Sequence, residues 1–156
     1  MELPEKVLME LERKAESEGK SLEEIISEAV FKQLGITDPE TKAELHLNLS
    51  EKYMHEAEDL LARKDYAQAS EKAWGAASQM VKALAAKEGK ELRSHASLWE
   101  YVDEIAEKLG DIELRHLWGR ANNLHQNFYE SWMPPREVEL SIKDVKTLLE
   151  KLRTLL

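Results

Sequence analysis

Hydrophobic residues recur every three or four positions along most of the chain, which is the spacing of one face of an α-helix. No stretch alternates apolar and polar residues for long enough to suggest a sheet. The pattern predicts seven helices: 5–18, 22–34, 39–63, 66–88, 98–109, 112–132 and 142–155. Seven amphipathic helices joined by short connections predict an all-α, up-and-down antiparallel helical bundle.

Polar residues just before the apolar stretches predict where the helices begin. Ser21 with Glu24 forms a capping box, and Asp38 followed by Pro39 opens the third helix. Ser97 is expected to cap the fifth helix, which leaves His95 in a connecting loop, and Ser141 is expected to cap the last helix. Glycine residues or a pair of prolines follow most of the predicted helices.

The sixth helix carries the most distinctive pattern. At about 100° per residue, Arg120 and His125 project from opposite edges of its apolar stripe, about 140° apart. Asn127 is predicted beside the arginine, and Trp118, Asn122 and Tyr129 beside the histidine. The stripe itself is predicted to lie in the core and consists of Leu114, Leu117, Ala121, Leu124, Phe128 and Trp132.

The first 36 residues form a separate predicted unit, and residues 38–156 form the bundle. The paired helices resemble the helical half of a ribbon-helix-helix DNA-binding protein, but only Met1 and Glu2 precede Leu3 where the ribbon should be. Nine acidic and five basic residues within positions 1–35 give this hairpin a charge of −4, which repels DNA. We therefore expect a packing or dimerisation element and no DNA binding.

Composition narrows the possible functions. The net charge of −9 argues against broad binding along a nucleic-acid backbone. The absence of cysteine, of a signal peptide and of a long apolar run predicts a cytoplasmic protein without membrane contact. His46 and His55 lie on opposite sides of one helix, and no metal, phosphate-loop or nucleophile-elbow motif occurs, so we expect neither metal nor cofactor.

The segment from Arg120 to His125 has the form R-x4-H, which resembles the signature of HEPN domains. This resemblance implies a compact α-bundle, often a metal-independent ribonuclease, whose arginine and histidine meet their counterparts across the two-fold axis of a homodimer. Histidine titrates near neutrality and can move a ribose hydroxyl proton, while arginine can stabilise the phosphorane. Ala121 departs from the pattern, because a polar residue usually follows the arginine.

A longer resemblance covers residues 38–156. The segments D-Y-A-Q-A-S-E-K-A-W-G-A-A-S-Q-M-V-K-A-L-A (65–85), S-H-A-S-L-W-E-Y-V (94–102) and L-H-Q-N-F-Y-E-S-W (124–132) resemble the archaeal PaREP family, which is grouped with HEPN-like folds. This resemblance implies a fold, and it implies little about catalytic activity. Glu71 and Lys72 are interpreted as an ion pair, and His95 approaches His125 if its loop folds over the bundle. The family-type positions are Asp65, Gln68, Glu71, Lys72, Trp74, His95, His125, Asn127 and Tyr129.

Two functions follow from these resemblances. The first is a dimeric binding module for a nucleotide, an RNA end or a partner protein such as a minimal nucleotidyltransferase. The second is a ribonuclease of the toxin-antitoxin or defence type, with Arg120 and His125 as catalytic residues. In the second, Asn122 or Asn127 orients the phosphate, and Tyr129 is a site at which a partner enzyme adds a nucleotide.

Overall fold

The structure is a computed structural model that describes residues 2–156, and these residues form an all-α helical bundle. The predicted period is confirmed in all seven helices, which are α1 (Glu5–Glu18), α2 (Leu22–Leu34), α3 (Pro39–Ala62), α4 (Tyr66–Lys87), α5 (His95–Leu109), α6 (Ile112–Glu130) and α7 (Pro135–Arg153). Within residues 2–156, no helix combines the length and apolar character needed to cross a bilayer.

Helix α4 is the central element and packs against α3, α5, α6 and α7. Small residues make this possible, because Ala69, Ala73, Ala76 and Ala77 are all fully buried and let neighbouring helices approach closely. Its bulky partner Trp118 on α6 is also fully buried. Helix α4 is therefore the closely packed centre against which the other helices of the bundle lie.

The α1–α2 hairpin contacts the bundle through polar side chains. No Cα atom of α1 or α2 lies within 8 Å of a Cα atom in α3–α7. Glu23 accepts hydrogen bonds from the Tyr53 hydroxyl and from Lys52 at 2.7 Å. The buried Glu24 pairs with Lys82 at 3.0 Å. These bonds hold the start of α2 against α3 and α4.

Two predicted helix starts are wrong. Helix α5 begins at His95, because Ser94 accepts from the Ser97 backbone N–H at 3.0 Å and donates its own N–H to the Ser97 hydroxyl at 3.0 Å. Ser97 is thus the third helical residue and not the cap. Helix α7 begins at Pro135. Backbone N–H groups in the first turn have no acceptor within the helix, so proline, which lacks this group, fits there without losing a hydrogen bond. Ser141 is buried inside that helix.

The core stripe of α6 is correct over most of its length and wrong at its C-terminal end. Leu114, Leu117, Ala121 and Leu124 are buried as predicted. Trp132 is exposed, because α6 ends at Glu130 and Ser131 turns the chain away with a φ of 48°. Trp118 and Asn127, which were predicted on the polar flanks, are buried instead.

Candidate functional site

A cleft of about 760 Å³ lies between the turn of the α1–α2 hairpin and the bundle. Residues 15–24 form one wall. The opposite wall comes from α4, from the start of α5 and from the second half of α6. Three of the predicted site residues, His95, His125 and Tyr129, lie on that wall together with Trp74. The topology therefore brings three separated segments of the sequence to one concave surface.

Glu71 of α4 orients His125 of α6. The carboxylate Oε2 lies 2.8 Å from the ring Nδ1, although the two residues are 54 positions apart in the sequence. A carboxylate accepts, so Nδ1 carries the proton and Nε2 remains as the nitrogen that can exchange a proton or bind a ligand. The His125 side chain is 23% exposed, which leaves it accessible from the cleft. This carboxylate–imidazole pair is a common arrangement for orienting a reactive histidine.

His95 packs against the same histidine. Its ring lies nearly parallel to Trp74, with centroids 5.5 Å apart and an interplanar angle of 7°. The His95 and His125 centroids are 5.0 Å apart, and Trp74 lies 5.0 Å from His125. His95 therefore lies next to His125, and the first residue of a helix, not a loop that folds over the bundle, brings it there. Tyr129 adds an edge-on contact to His125 at 5.3 Å.

The pKa of His95 is lowered from its ordinary value. Partial burial against the aromatic rings is the main cause, and the neighbouring His125 adds to it. A lowered pKa keeps the His95 imidazole neutral near pH 7. The wall of the cleft therefore combines a neutral imidazole with a second imidazole that a carboxylate orients, and both groups can exchange protons.

The cations that line the cleft are mostly engaged by carboxylates. Lys82 pairs with Glu24, and Arg93 pairs with Glu91 at 2.8 Å. Lys72 pairs with Glu56 at 2.7 Å, so the predicted pair between Glu71 and Lys72 is wrong. The physical reason is that adjacent residues on a helix point about 100° apart, toward different neighbours. The cleft is thus not a strongly basic groove.

Arg120 lies on the other flank of α6. Its guanidinium is 3.7 Å from Glu137 and 3.6 Å from Asp144, both on α7, and its side chain is 49% exposed. Within one chain, Arg120 and His125 therefore face different neighbours, in agreement with the angle that separates them on the helix. A single chain therefore does not bring the Arg120 guanidinium and the His125 ring to the same neighbours.

The two asparagines do not line the cleft either. Asn122 donates its side-chain amide to the Trp118 carbonyl at 2.8 Å, inside its own helix. Asn127 is buried, donates to the Ser70 hydroxyl at 3.1 Å and accepts from the Met133 backbone N–H at 2.7 Å. Their hydrogen-bonding groups serve the fold of a single chain.

Sequence reasoning missed the role of Glu71. The available signal was that Glu71 and Trp74 are three residues apart and therefore share a face of α4, and Trp74 was already a family-type position. Among residues 2–156, no group of three or more His, Asp or Glu side chains is arranged to hold a metal ion. The side chains of the His95–His125 wall can supply hydrogen bonding, stacking and proton transfer.

Comparison with known proteins places the fold in a family. A crystal structure of a protein from Sulfolobus solfataricus superposes with a TM-score of 0.59 at 26% sequence identity, covering 69% of this chain and 95% of the other. No curated protein matches the chain. The profile of the archaeal PaREP1/PaREP8 family matches residues 45–149, which run from within α3 into α7. This match spans more than half of the chain and includes every helix that builds the His95–His125 wall, so the chain belongs to the archaeal PaREP1/PaREP8 family.

Proposed function

We propose that this protein is a HEPN-like binding module that takes a nucleotide or the end of an RNA strand into the cleft between the α1–α2 hairpin and the bundle. The observation that carries the proposal is the stack of Trp74, His95 and His125 on one wall, with His125 oriented by Glu71. Aromatic and imidazole faces bind nucleobases by stacking. Tyr129 is 71% exposed next to this stack and offers a further face.

The charges of the cleft favour a short ligand. Lys72, Lys82 and Arg93 each have a carboxylate partner, and the whole chain carries a net charge of −9. A long nucleic acid would gain little from counterion release on such a surface. A single nucleotide or a frayed RNA end obtains its affinity from base stacking and from a few polar contacts, and its binding depends only weakly on salt.

A titration with adenosine monophosphate and with the dinucleotide ApA tests this proposal. Wild type should bind either probe, and His95→Ala and Tyr129→Ala should each weaken binding by roughly tenfold, because one stacked base contributes about 1–3 kcal/mol. The matched control is His116→Ala, which removes an exposed histidine from the same helix that carries His125. The proposal fails if wild type binds neither probe, or if the control weakens binding as much as the cleft variants do.

A second candidate is a metal-independent ribonuclease of the toxin-antitoxin type, and the pair of adjacent imidazoles favours it. Neutral His95 takes the proton of a ribose 2′-hydroxyl, and that oxygen attacks the neighbouring phosphorus. The bond from phosphorus to the 5′-oxygen breaks, and His125, when both ring nitrogens are protonated, gives that oxygen a proton. The products are a 2′,3′-cyclic phosphate and a 5′-hydroxyl.

In the ribonuclease hypothesis, Arg120 acts from a second copy in a homodimer and stabilises the phosphorane. Its two carboxylate partners on α7 lie more than 3.5 Å away at an exposed site, so exchanging them for a phosphate costs little. A partner such as a minimal nucleotidyltransferase would reach Tyr129 from solvent, since that side chain is exposed. In this hypothesis, Arg120 from the second copy gives the binding module its catalytic activity, and modification of Tyr129 regulates that activity.

Mixed subunits provide the sharpest test of the ribonuclease. Wild type should cleave structured RNA in EDTA, while Arg120→Ala and His125→Ala should each be inactive. Mixing the two inactive variants should restore part of the cleavage, because a composite site between unlike copies keeps one intact arginine and one intact histidine. If wild type leaves the RNA intact, the binding module remains and the ribonuclease does not; if the mixture stays inactive, the two residues do not share a site between copies.

A further inference from the structure

A second cavity, of about 190 Å³, lies between α2, α3 and the connection from α4 to α5. We call it the hairpin cavity. Glu24 and Lys82 line both this cavity and the larger cleft, so their ion pair stands between the two spaces. The hairpin cavity is smaller than the roughly 300–1,000 Å³ of a drug-sized site. Its size therefore suits a small molecule.

A chain of hydrogen bonds sets the polarity of its wall. The buried carboxylate of Glu24 accepts from the side-chain nitrogen of Gln79 at 2.5 Å and from Lys82 at 3.0 Å. Because an ionised carboxylate has no proton to donate, Gln79 must turn its Nε2 toward Glu24. Its Oε1 then faces His46 at 2.7 Å and accepts from the Nδ1–H of that ring.

His46 consequently presents an acceptor to the cavity. Burial is the main cause that lowers the pKa of His46, so the ring is neutral near pH 7. With the proton on Nδ1, Nε2 carries the lone pair. Among residues 2–156, the hydrogen bond of the His46 ring is the one that its Nδ1 makes with Gln79. His46 lines the cavity, whereas Gln79 does not. A ligand in this space that contacts Nε2 of His46 must therefore offer a hydrogen-bond donor.

One lysine of the hairpin cavity is available to an anion. Four lysines and three glutamates line the cavity, and Lys20, Lys82 and Lys90 each pair with a carboxylate. Lys42 is exposed, and among the described residues no carboxylate lies within 4 Å of its ammonium group. Lys42 precedes His46 by four residues, so both lie on the same face of α3, about 6 Å apart along the axis.

The remaining surface of the cavity is apolar. Phe31 comes from α2, Leu45 from α3 and Leu92 from the segment that precedes α5, and Pro39 and Ala86 complete it. These side chains can cover the body of a small ring or a short carbon chain. An acceptor, a cation one helical turn away and an apolar surface together define one ligand chemistry.

We propose that the hairpin cavity binds a small hydroxycarboxylate with an apolar body. The ligand hydroxyl donates to Nε2 of His46, the carboxylate pairs with Lys42, and the carbon skeleton lies against Phe31 and Leu45. This site does not depend on the function proposed for the larger cleft, because neither His95 nor His125 lines it.

Titration of the full chain with 4-hydroxybenzoate and with benzoate tests the proposal, since these probes differ only in the hydroxyl group. Wild type should bind 4-hydroxybenzoate about tenfold more tightly, because benzoate leaves Nε2 without a donor. His46→Phe should abolish this preference. Lys42→Gln should weaken both probes by a similar factor, and the matched control Lys14→Gln, an exposed lysine on α1 outside the cavity, should change neither.

The proposal is overturned if wild type binds neither probe, if it binds both equally, or if His46→Phe keeps the preference. Lys42 is exposed, so its variant folds and tests the carboxylate contact even if His46→Phe is unstable. Retained binding of adenosine monophosphate by a folded His46→Phe chain would separate this site from the larger cleft.

Discussion

Asn127 shows how a single polar residue can serve the fold instead of a ligand. Its amide nitrogen donates to Ser70 on α4, and its oxygen accepts from the Met133 backbone just after α6 ends. The side chain is only 2% exposed, so water cannot replace either partner. Asn127 therefore ties the end of α6 and the start of α7 to the central helix.

Replacing Asn127 by alanine should lower the free energy of unfolding by about 2 kcal/mol. Two buried hydrogen bonds are lost, and the Met133 N–H and the Ser70 hydroxyl lose a partner. Urea unfolding followed by circular dichroism measures this change. The matched control is Asn123→Ala, an exposed position on the same helix, which should change the value by less than about 0.5 kcal/mol. Equal losses in both variants would contradict the structural role of Asn127.

At the level of helices, the contact between α4 and α3 at Gly75 is coupled to the docking of the hairpin. Gly75 lies inside α4, and a Cβ atom placed there would come within 3.1 Å of Cδ2 of Tyr53. Tyr53 donates its hydroxyl to Glu23 on α2, and burial raises the pKa of this hydroxyl, so it stays protonated. The absence of a side chain at Gly75 therefore gives Tyr53 the room it needs to hold the hairpin.

Two glycine-to-alanine substitutions should have opposite effects. Gly119→Ala on α6 meets no atom within 4 Å and should raise the free energy of unfolding by about 1 kcal/mol, the usual gain for alanine in a helix. Gly75→Ala gains the same stabilisation from helix propensity, but its methyl group crowds the Tyr53 ring. This crowding should lower the free energy of unfolding by about 1–3 kcal/mol. Gly75→Ala should therefore be neutral or destabilising. Denaturant unfolding of both variants checks the sign, and a stabilised Gly75→Ala chain would show that Tyr53 moves freely.

Helix ends show a limit of reasoning from local sequence. The spacing of apolar residues located every helix, and the cap at Asp38 was predicted correctly. The start of α5 was misplaced because both Ser94 and Ser97 can cap, and the reciprocal bonds between them select Ser94. The start of α7 was misplaced because two prolines were interpreted only as a break, whereas Pro135 also opens a helix.

For the whole molecule, the burial of two histidines makes stability depend on pH. His46 and His95 both have a pKa below their ordinary value of 6.5, mainly because of burial. The unfolded chain therefore binds more protons than the folded chain at pH values just below 6.5. Two charged neighbours of His46 have opposite effects on its pKa, because Glu24 raises this pKa and Lys82 lowers it.

The free energy of unfolding should consequently fall as the pH drops below about 6.5, with a limit of about 1.4 kcal/mol per pH unit for each histidine involved. Urea unfolding at a series of pH values from neutral to mildly acid measures the slope. His46→Phe should make this slope shallower, because it removes one of the two groups. An unchanged slope in a folded His46→Phe chain would contradict the assignment of a buried neutral imidazole.

The sequence by itself determined the all-α class, the seven helices and the separation of Arg120 from His125 on α6. These properties depend on the spacing of residues that are close together along the chain. Only the tertiary structure decided which side chains meet at the site: Glu71 with His125, and His95 with Trp74. Such contacts depend on how far each helix is rotated and shifted against its neighbours, and that is set by the packing of small residues along α4, which no local pattern records.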